Sequence, residues 1–218
     1  MTLSEENYLK AIFHLEKKYT KGVPTNAIAE EMDTKASSAT DMIKRLSEKD
    51  LIAYKPYQGA KLTKEGSAHA VKVIRKHRLW ESFLVDKLDF SWDEVHEVAE
   101  QLEHIKSEKL IKELDKFLGY PKTDPHGDPI PDENGKIHRI EKTILSKLEV
   151  GQGGVCIGVK DSSSAFLKYL DKHHISLGKS IKVLGKESFD NSMLVKVGED
   201  ELTLSSLVST NLYIKIVK

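Results

Sequence analysis

Residues 92–118 carry two different stripes of side chains at helical spacing, and this stretch most limits what the chain can fold into. Read as one continuous helix, it places imidazole and carboxylate groups on one face within roughly 100° of arc: His96, Glu100, Glu103 and His104. A second stripe is apolar and needs a core or another subunit: Val95, Val98, Ala99, Leu102, Ile105, Ile111, Leu114, Phe117 and Leu118. Clustered carboxylates repel one another unless a cation lies among them, and a divalent metal is the simplest candidate. The spacing therefore leaves two interpretations open, a solvated helix face or a helix that binds metal and packs a dimer.

A similar pair lies upstream and favours the metal interpretation. His77 and Glu81 stand one turn apart in a long helix predicted over residues 64–88, which Thr63 would cap. Downstream, the Pro- and Gly-rich stretch 120–131 cannot be helical, and its Asp-Pro-His segment offers Asp124 and His126 to one cation. An ordinary Asp-Pro turn with an incidental histidine explains the last pair equally well.

The N-terminal pattern predicts a DNA-binding domain. Helices are expected over residues 4–18, with Ser4 as the cap, and over 26–32 and 36–49. Two short helices around a three-residue turn are typical of a helix-turn-helix. The alternating segment 51–63, with a turn at Gly59, predicts a β-hairpin directly after it. A helix-turn-helix followed by a hairpin is a winged helix.

The second helix of this motif is the predicted recognition helix. Its first turn carries small and hydroxyl-bearing residues, which let a helix N-terminus approach DNA closely, and basic residues follow in the helix and the wing. The candidate DNA contacts are Lys35, Ser37, Ser38, Thr40, Asp41, Lys44, Arg45, Lys55 and Lys61. A generic three-helix core with a polar outer face is the alternative.

The net charge is zero, but the charges are unevenly distributed between the N-terminal part and the helical part that follows it. Residues 1–80 hold 15 Lys and Arg against 10 Asp and Glu, a net of +5, and residues 81–120 hold 5 against 11, a net of −6. The first part suits phosphates and the second suits cations. The N-terminus has no signal-like pattern and no apolar run is long enough to span a membrane, which predicts a cytoplasmic protein. The single cysteine, Cys156, excludes an internal disulfide and a Cys-based zinc site.

The last third of the chain predicts a small β-barrel. Five short strands are expected at 154–159, 181–185, 193–197, 201–204 and 212–217, interrupted by a helix at 163–172. We therefore expect three domains: 1–63, DNA-binding; 64–140, helical, with a Pro-rich linker; and 141–218, β-barrel.

Three segments make the chain resemble the diphtheria-toxin-repressor (DtxR) family of metal-dependent transcription regulators. They are Arg-Lys-His-Arg-Leu at 75–79, Glu-x-x-Glu-His at 100–104 and Leu-Gly-Tyr-Pro-Lys-Thr-Asp-Pro-His-Gly at 118–127, and the last is most similar to the manganese-responsive, three-domain branch. The resemblance implies a mainly α fold with a small β part, comprising a winged helix-turn-helix, a helical dimerisation domain and an SH3-like, FeoA-like barrel. It also implies a homodimer that binds palindromic operator DNA as a repressor, without enzymatic activity, membrane attachment or an organic cofactor.

The resemblance further implies two metal sites. One takes Asn7, Glu100, Glu103 and His104. The other takes His77, Glu81, Asp124 and His126, with Asp161 from the barrel and His96 as an additional candidate. Such oxygen and nitrogen ligands suit Mn²⁺ or Fe²⁺, and they also accept Zn²⁺ or Co²⁺ in vitro.

This chain departs from the family pattern at four positions. Glu100 stands where the iron-responsive branch has Cys, and Asp124 stands where three-domain manganese relatives often have Cys. Asn7 stands where the manganese branch commonly has Asp, and Lys10 where it sometimes has Glu. The neutral Asn7 removes one negative charge from its site and should weaken it.

Two other function classes fit parts of the pattern. A metallohydrolase would use the same His and Glu clusters, but it needs an open coordination position and a substrate cleft, and it leaves the winged helix unexplained. A winged-helix regulator that answers an organic effector would carry the same clusters as salt-bridged surface. Chelators would not alter its DNA binding.

Overall fold

A computed structural model describes residues 1–55, 57–138 and 140–216. These residues divide into two compact units. Of the described residues, the first unit holds those within 1–77, 100–108 and 131–136, and the second holds those within 78–99, 109–130 and 137–216. Within the described ranges, no helix is both long enough and apolar enough to cross a membrane.

The first unit contains the predicted winged helix. Its elements are α1 (Leu3–Leu15), α2 (Thr25–Glu31), α3 (Ala36–Glu48), β1 (Ile52–Lys55) and β2 (Gly59–Leu62), and the two strands pair antiparallel. Fully buried aliphatic side chains from all three helices, among them Leu9, Ile28 and Ile43, form one core with the hairpin. The predicted cap of α1 was wrong: Thr2, not Ser4, accepts the hydrogen bond from the Glu5 amide, and the Glu5 side chain completes a capping box.

A long helix, α4 (Lys64–Leu88), follows the wing as predicted. Thr63 caps it, because its Oγ1 accepts a hydrogen bond from the Gly66 amide at 3.0 Å. This helix carries His77 and Glu81 on successive turns.

The single helix predicted over residues 92–118 was wrong. The chain instead forms α5 (Val95–Leu102) and α6 (Glu108–Phe117), separated by a turn in which the Ile105 amide donates to the Leu102 carbonyl at 3.1 Å. Ser107, a residue type that favours helix N-termini, directly precedes α6 and explains where helix formation restarts. Glu103 therefore lies in a turn with His104 rather than on a helical face, and periodicity could not position either side chain.

The second unit contains the predicted small β domain. Its strands are β3 (Thr143–Ile144), β4 (Gly153–Val159), β5 (Ser180–Lys186), β6 (Met193–Val197), β7 (Asp200–Leu204) and β8 (Leu212–Ile216). In the described chain they form one antiparallel sheet in the order β3-β8-β4-β5-β6-β7. The five predicted strands are confirmed within a residue or two, except that residue 217 lies outside the described residues. Strand β3 was not predicted, because two residues are too few to show an alternating pattern.

Two helices complete this unit, α7 (Ser164–Lys172), which was predicted, and the short α8 (Ser206–Ser209), which was not. Their apolar side chains, among them Leu167 and Val208, pack into the core of the sheet. Cys156 belongs to the same core, and burial raises the pKa of its thiol to about 11. Its place in this core makes Cys156 a packing residue.

Candidate metal centres

The second unit brings Glu81, Asp124 and His126 together. Each offers a ligand atom within 4.8 Å of the others, and all three residues are buried. The Nδ1 atom of His126 lies 3.7 Å from a Glu81 oxygen, and its Nε2 lies 2.7 Å from the Trp92 carbonyl oxygen. An Nε2–H that donates to this carbonyl leaves the Nδ1 lone pair facing the carboxylates, which is the arrangement a metal-binding histidine needs.

The electrostatics of this group favour a cation. Burial and repulsion from Glu81 raise the pKa of Asp124 to about 7, against the opposing effect of Arg78. For His126, burial alone would lower the pKa, but Glu81, Asp124 and the Trp92 carbonyl outweigh it and raise the pKa. Two carboxylates that resist ionising together, beside an imidazole, fit a divalent cation, which would neutralise both.

The loop that carries Asp124 and His126 is tightly fixed. The Val159 amide donates to the His126 carbonyl at 2.9 Å, and a Cβ added to Gly127 would lie 2.0 Å from the Ile157 carbonyl oxygen. Arg78 reaches the loop through its Nε, 3.3 Å from Asp124, and through hydrogen bonds to the Pro129 carbonyl and to Asp128. The ligand atoms are thus held by packing of the loop against β4.

His96 and Asp161 lie at the margin of this group. The Nδ1 atom of His96 is 3.5 Å from Glu81, but its side chain is about half exposed. Asp161 is exposed, its Oδ1 accepts a hydrogen bond from the Ser163 amide at 2.8 Å, and it is not a member of the 4.8 Å group in the described chain. The role of Asp161 as a ligand stays a prediction.

A cleft of about 520 Å³ opens beside the group of Glu81, Asp124 and His126 and offers a route from solvent. It is lined in part by Asp86, Asp124 and Asp171.

The first unit holds a second group around Glu103, whose side chain is 0% exposed. The Lys10 ammonium lies 2.8 and 2.9 Å from the two Glu103 oxygens and 3.4 Å from Glu100. His77 approaches the same carboxylate, with Nδ1 2.6 Å from Oε2. Burial alone would raise the pKa of Glu103, but His77 and Lys10 outweigh it and lower the pKa.

His104 is oriented by a residue that sequence analysis missed. The Oε2 atom of Glu6, on α1, lies 2.6 Å from His104 Nδ1, while His104 Nε2 points toward Glu103 at 3.7 Å. A carboxylate on one ring nitrogen leaves the other available to a metal. Glu6 is separated from His104 by 98 residues, so no local spacing could have revealed the pair. Its position next to Asn7 in the first turn of α1 was the one available hint.

Asn7 supplies the test of whether a metal fits this group. Its side-chain Oδ1 is buried, and it has no hydrogen-bond partner in the described chain. Orphaned buried carbonyl oxygens are rare, because leaving one unpaired costs about 1–3 kcal/mol. A buried amide oxygen without a donor, on the same unit as Glu103 and His104, is a ligand that a hard divalent cation accepts.

The candidate DNA contacts lie where a winged helix would present them. In α3, the wing and the turn before α3 they are exposed, apart from the half-buried Thr40, whose Oγ1 donates to the Ala36 carbonyl at 2.7 Å. Ala39, Ile43 and Leu46 point the opposite way, into the core. The helix therefore has a polar outer face that is free to enter a groove.

Comparison with known protein families agrees with each part of this architecture. Residues 1–60 match the N-terminal DNA-binding domain of iron-dependent repressors, 63–132 match the metal-binding and dimerisation domain of the same proteins, and 143–216 match the FeoA domain. The iron-dependent repressor IdeR of Mycobacterium tuberculosis is 39% identical over 128 residues, which are 58% of this chain and 54% of that protein. The diphtheria toxin repressor of Corynebacterium jeikeium is 34% identical over 128 residues, 58% of this chain and 52% of that protein. The chain thus spans about half the length of these curated relatives.

Solved structures extend the likeness to the whole chain. A manganese-dependent transcriptional repressor in complex with manganese superimposes with a TM-score of 0.87 at 31% identity, covering 98% of this chain and 100% of that one. The manganese regulator SloR superimposes with a TM-score of 0.76 at 33% identity, covering all of both chains. The winged helix, the helical segment and the FeoA-type β domain together define the three-part architecture of the iron- and manganese-dependent repressors. Within that class, the chain belongs to the DtxR family.

Proposed function

We propose that this protein is a DNA-binding repressor of metal-homeostasis genes that is switched on by a divalent metal. The observation that carries the proposal is the buried group of Glu81, Asp124 and His126 in a chain that also folds a winged helix. Two carboxylates and a histidine within 4.8 Å of one another are costly to bury without a cation. A metal that binds there therefore has a large preference for the folded arrangement in which the group is assembled.

We assign the ligands to two sets. The first set is Asn7, Glu100, Glu103 and His104, with His77 added because it contacts Glu103. The second set is His77, Glu81, Asp124 and His126, with His96 and Asp161 as further candidates, so His77 is a candidate for both sets. The domain boundaries expected from sequence, 1–63, 64–140 and 141–218, remain part of this proposal. The oxygen and nitrogen donors suit Mn²⁺ first and Fe²⁺ second. Support comes from a similar repressor in complex with manganese and from ScaR with bound Zn²⁺ and with bound Cd²⁺.

The positions of the proposed ligands suggest how metal binding would control DNA binding. Asn7 and Glu6 are on α1 of the DNA-binding fold, and Glu103 and His104 are in the turn after α5. A metal shared by these elements favours one arrangement of a homodimer over others, which is a shift of population. Two recognition helices about 34 Å apart would then match successive major grooves of a palindromic operator.

The test is DNA binding with and without metal. A palindromic site is first selected from random duplex DNA in the presence of Mn²⁺, and binding is then measured by fluorescence anisotropy with Mn²⁺, anaerobic Fe²⁺, Zn²⁺ or a chelator. We expect specific binding with metal and a loss of at least about 10-fold with chelator, the range of typical allosteric coupling. Lys44→Ala, on the outer face of α3, should weaken binding and flatten its salt dependence. Equal binding under chelation would instead favour the organic-effector alternative.

A further inference from the structure

The first ligand set already contains a cation, the ammonium of Lys10. Lys10 lies one turn after Asn7 on α1, and its side chain is only 15% exposed. It contacts both oxygens of Glu103 and one oxygen of Glu100, two of the proposed metal ligands. A metal bound by Glu103 and Glu100 would compete with the ammonium for the same carboxylate oxygens.

The ion pair between Lys10 and Glu103 is also strong enough to affect metal binding. Glu103 is fully buried, so its pair with Lys10 is little screened by water or salt, unlike an exposed ion pair. The carboxylate keeps His77 as a second partner, so removal of Lys10 does not leave it without one. In the metal-free protein, therefore, Lys10 joins α1 to the turn after α5, as a metal would.

We propose that Lys10 is a tethered competitor that sets the metal threshold of the first ligand set. Metal binds there only when its free concentration is high enough to displace the ammonium from Glu103. The inference rests on the proposed function, since it requires that this set binds metal. The inference predicts opposite effects on metal affinity and on the stability of the metal-free protein. Removing the ammonium should strengthen metal binding, and it should destabilise the metal-free protein.

The experiment uses Lys10→Met, which keeps the apolar stem and removes the charge, in the full chain. Both the parent and the variant carry Glu81→Gln, so that the second ligand set does not dominate the signal. Binding of Mn²⁺ is measured by isothermal titration calorimetry, with the number of bound ions counted by electron paramagnetic resonance of free Mn²⁺. We expect the Mn²⁺ dissociation constant to fall about tenfold or more, in the range measured for coupling between close charge pairs.

Thermal unfolding in chelator supplies the second readout. The Lys10→Met variant should melt at least about 2 °C below its parent, because the Glu103 carboxylate loses one partner. Lys10→Arg keeps the charge and should retain most of the parent's affinity, so it remains informative if the Met variant folds poorly. Lys17→Met is the matched control, since Lys17 is exposed just beyond the end of α1, and it should change neither quantity.

The possible outcomes distinguish failure of the proposed function from failure of the inference about Lys10. If the parent binds no Mn²⁺ at the first set and the chain without Glu81→Gln binds none either, the proposed function fails, and this inference fails with it. If Mn²⁺ binds but Lys10→Met leaves its affinity unchanged, Lys10 is only a structural ion pair and the inference alone is overturned. Weaker binding by Lys10→Met would also overturn it, because Lys10 would then orient Glu103 for the metal.

Discussion

Individual residues balance the charge of the two ligand sets in different ways. In the first set, the buried Glu103 has Lys10 and His77 as partners, so the protein supplies its own counter-charge. In the second set, Asp124 and Glu81 repel each other, and Arg78 offsets this only in part, which leaves the pKa of Asp124 near 7. We therefore expect the second set to gain more from a metal than the first.

Asn7 gives the first residue-scale prediction. Its orphaned Oδ1 is buried, and Asn7→Asp adds a negative charge at this position. The variant should bind Mn²⁺ about tenfold more tightly in calorimetric titration, and it should unfold more readily in chelator because the new charge lacks a partner. Asn26→Asp, on the exposed surface of α2, is the control and should change neither. Unchanged Mn²⁺ affinity in Asn7→Asp would remove Asn7 from the ligand set.

At the scale of elements, local pattern predicted the helices and strands but not the junctions that shape the sites. The winged helix, α4 and five strands followed from periodicity and turn residues. The break between α5 and α6 did not, because 92–118 keeps its apolar spacing across residues 103–107. Distant contacts determine the rest: Glu6 meets His104, and the loop of Asp124 packs on β4.

The loop of Asp124 gives an element-scale prediction. Gly127 and Gly119 both have positive φ, +83° and +73°, so Ala at either position costs about 1 kcal/mol of backbone strain. Only at Gly127 would the new Cβ collide with backbone, at the Ile157 carbonyl, whereas nothing lies within 4 Å at Gly119. Gly127→Ala should therefore lower the free energy of unfolding by roughly 1–3 kcal/mol more than Gly119→Ala does. It should also weaken Mn²⁺ binding. Equal effects of the two variants in denaturant titration would show that the loop is not held as described.

The turn before α5 gives a prediction about pH. Asp93 accepts hydrogen bonds from Ser91 at 2.7 Å and from Ser164 of α7 at 3.0 Å, with Lys168 at 3.3 Å. These partners, Ser91 first, hold the pKa of the Asp93 carboxyl below its usual 3.8. A lowered folded-state pKa stabilises the protein above the unfolded-state value and ceases to do so as pH falls through the folded-state value.

Asp93→Asn is the variant that tests this pH dependence. It should lower the melting temperature by roughly 2–4 °C near neutral pH. The difference from the parent should stay constant down to about pH 5 and shrink below about pH 4, following the sign of the shift. A difference that grew on acidification would contradict the assignment.

At the scale of the whole molecule, the order of the parts carries the functional argument. A basic DNA-binding segment precedes an acidic helical segment, and a FeoA-type β domain follows. Sequence predicted this order, and family likeness pointed to most of the residues that we propose as ligands. It could not predict Glu6 as a partner of His104 or Lys10 as a partner of Glu103, because each pair is joined only by folding across more than 90 residues. Residues that balance a buried charge need only be close to it in the folded structure. Their spacing along the sequence therefore does not reveal them.

The central claim is that metal at the buried carboxylate and histidine groups controls DNA binding. The most direct measurement is Mn²⁺-dependent anisotropy of labelled operator DNA with the parent chain, Glu81→Gln and Glu103→Gln, compared at one salt concentration. Both substitutions preserve shape and remove one ligand charge, and Glu31→Gln on the exposed end of α2 serves as the control. The account predicts a Mn²⁺ response in the parent and in Glu31→Gln, and a loss of about 10-fold or more in both ligand variants. An undiminished Mn²⁺ response in Glu81→Gln and Glu103→Gln would contradict it.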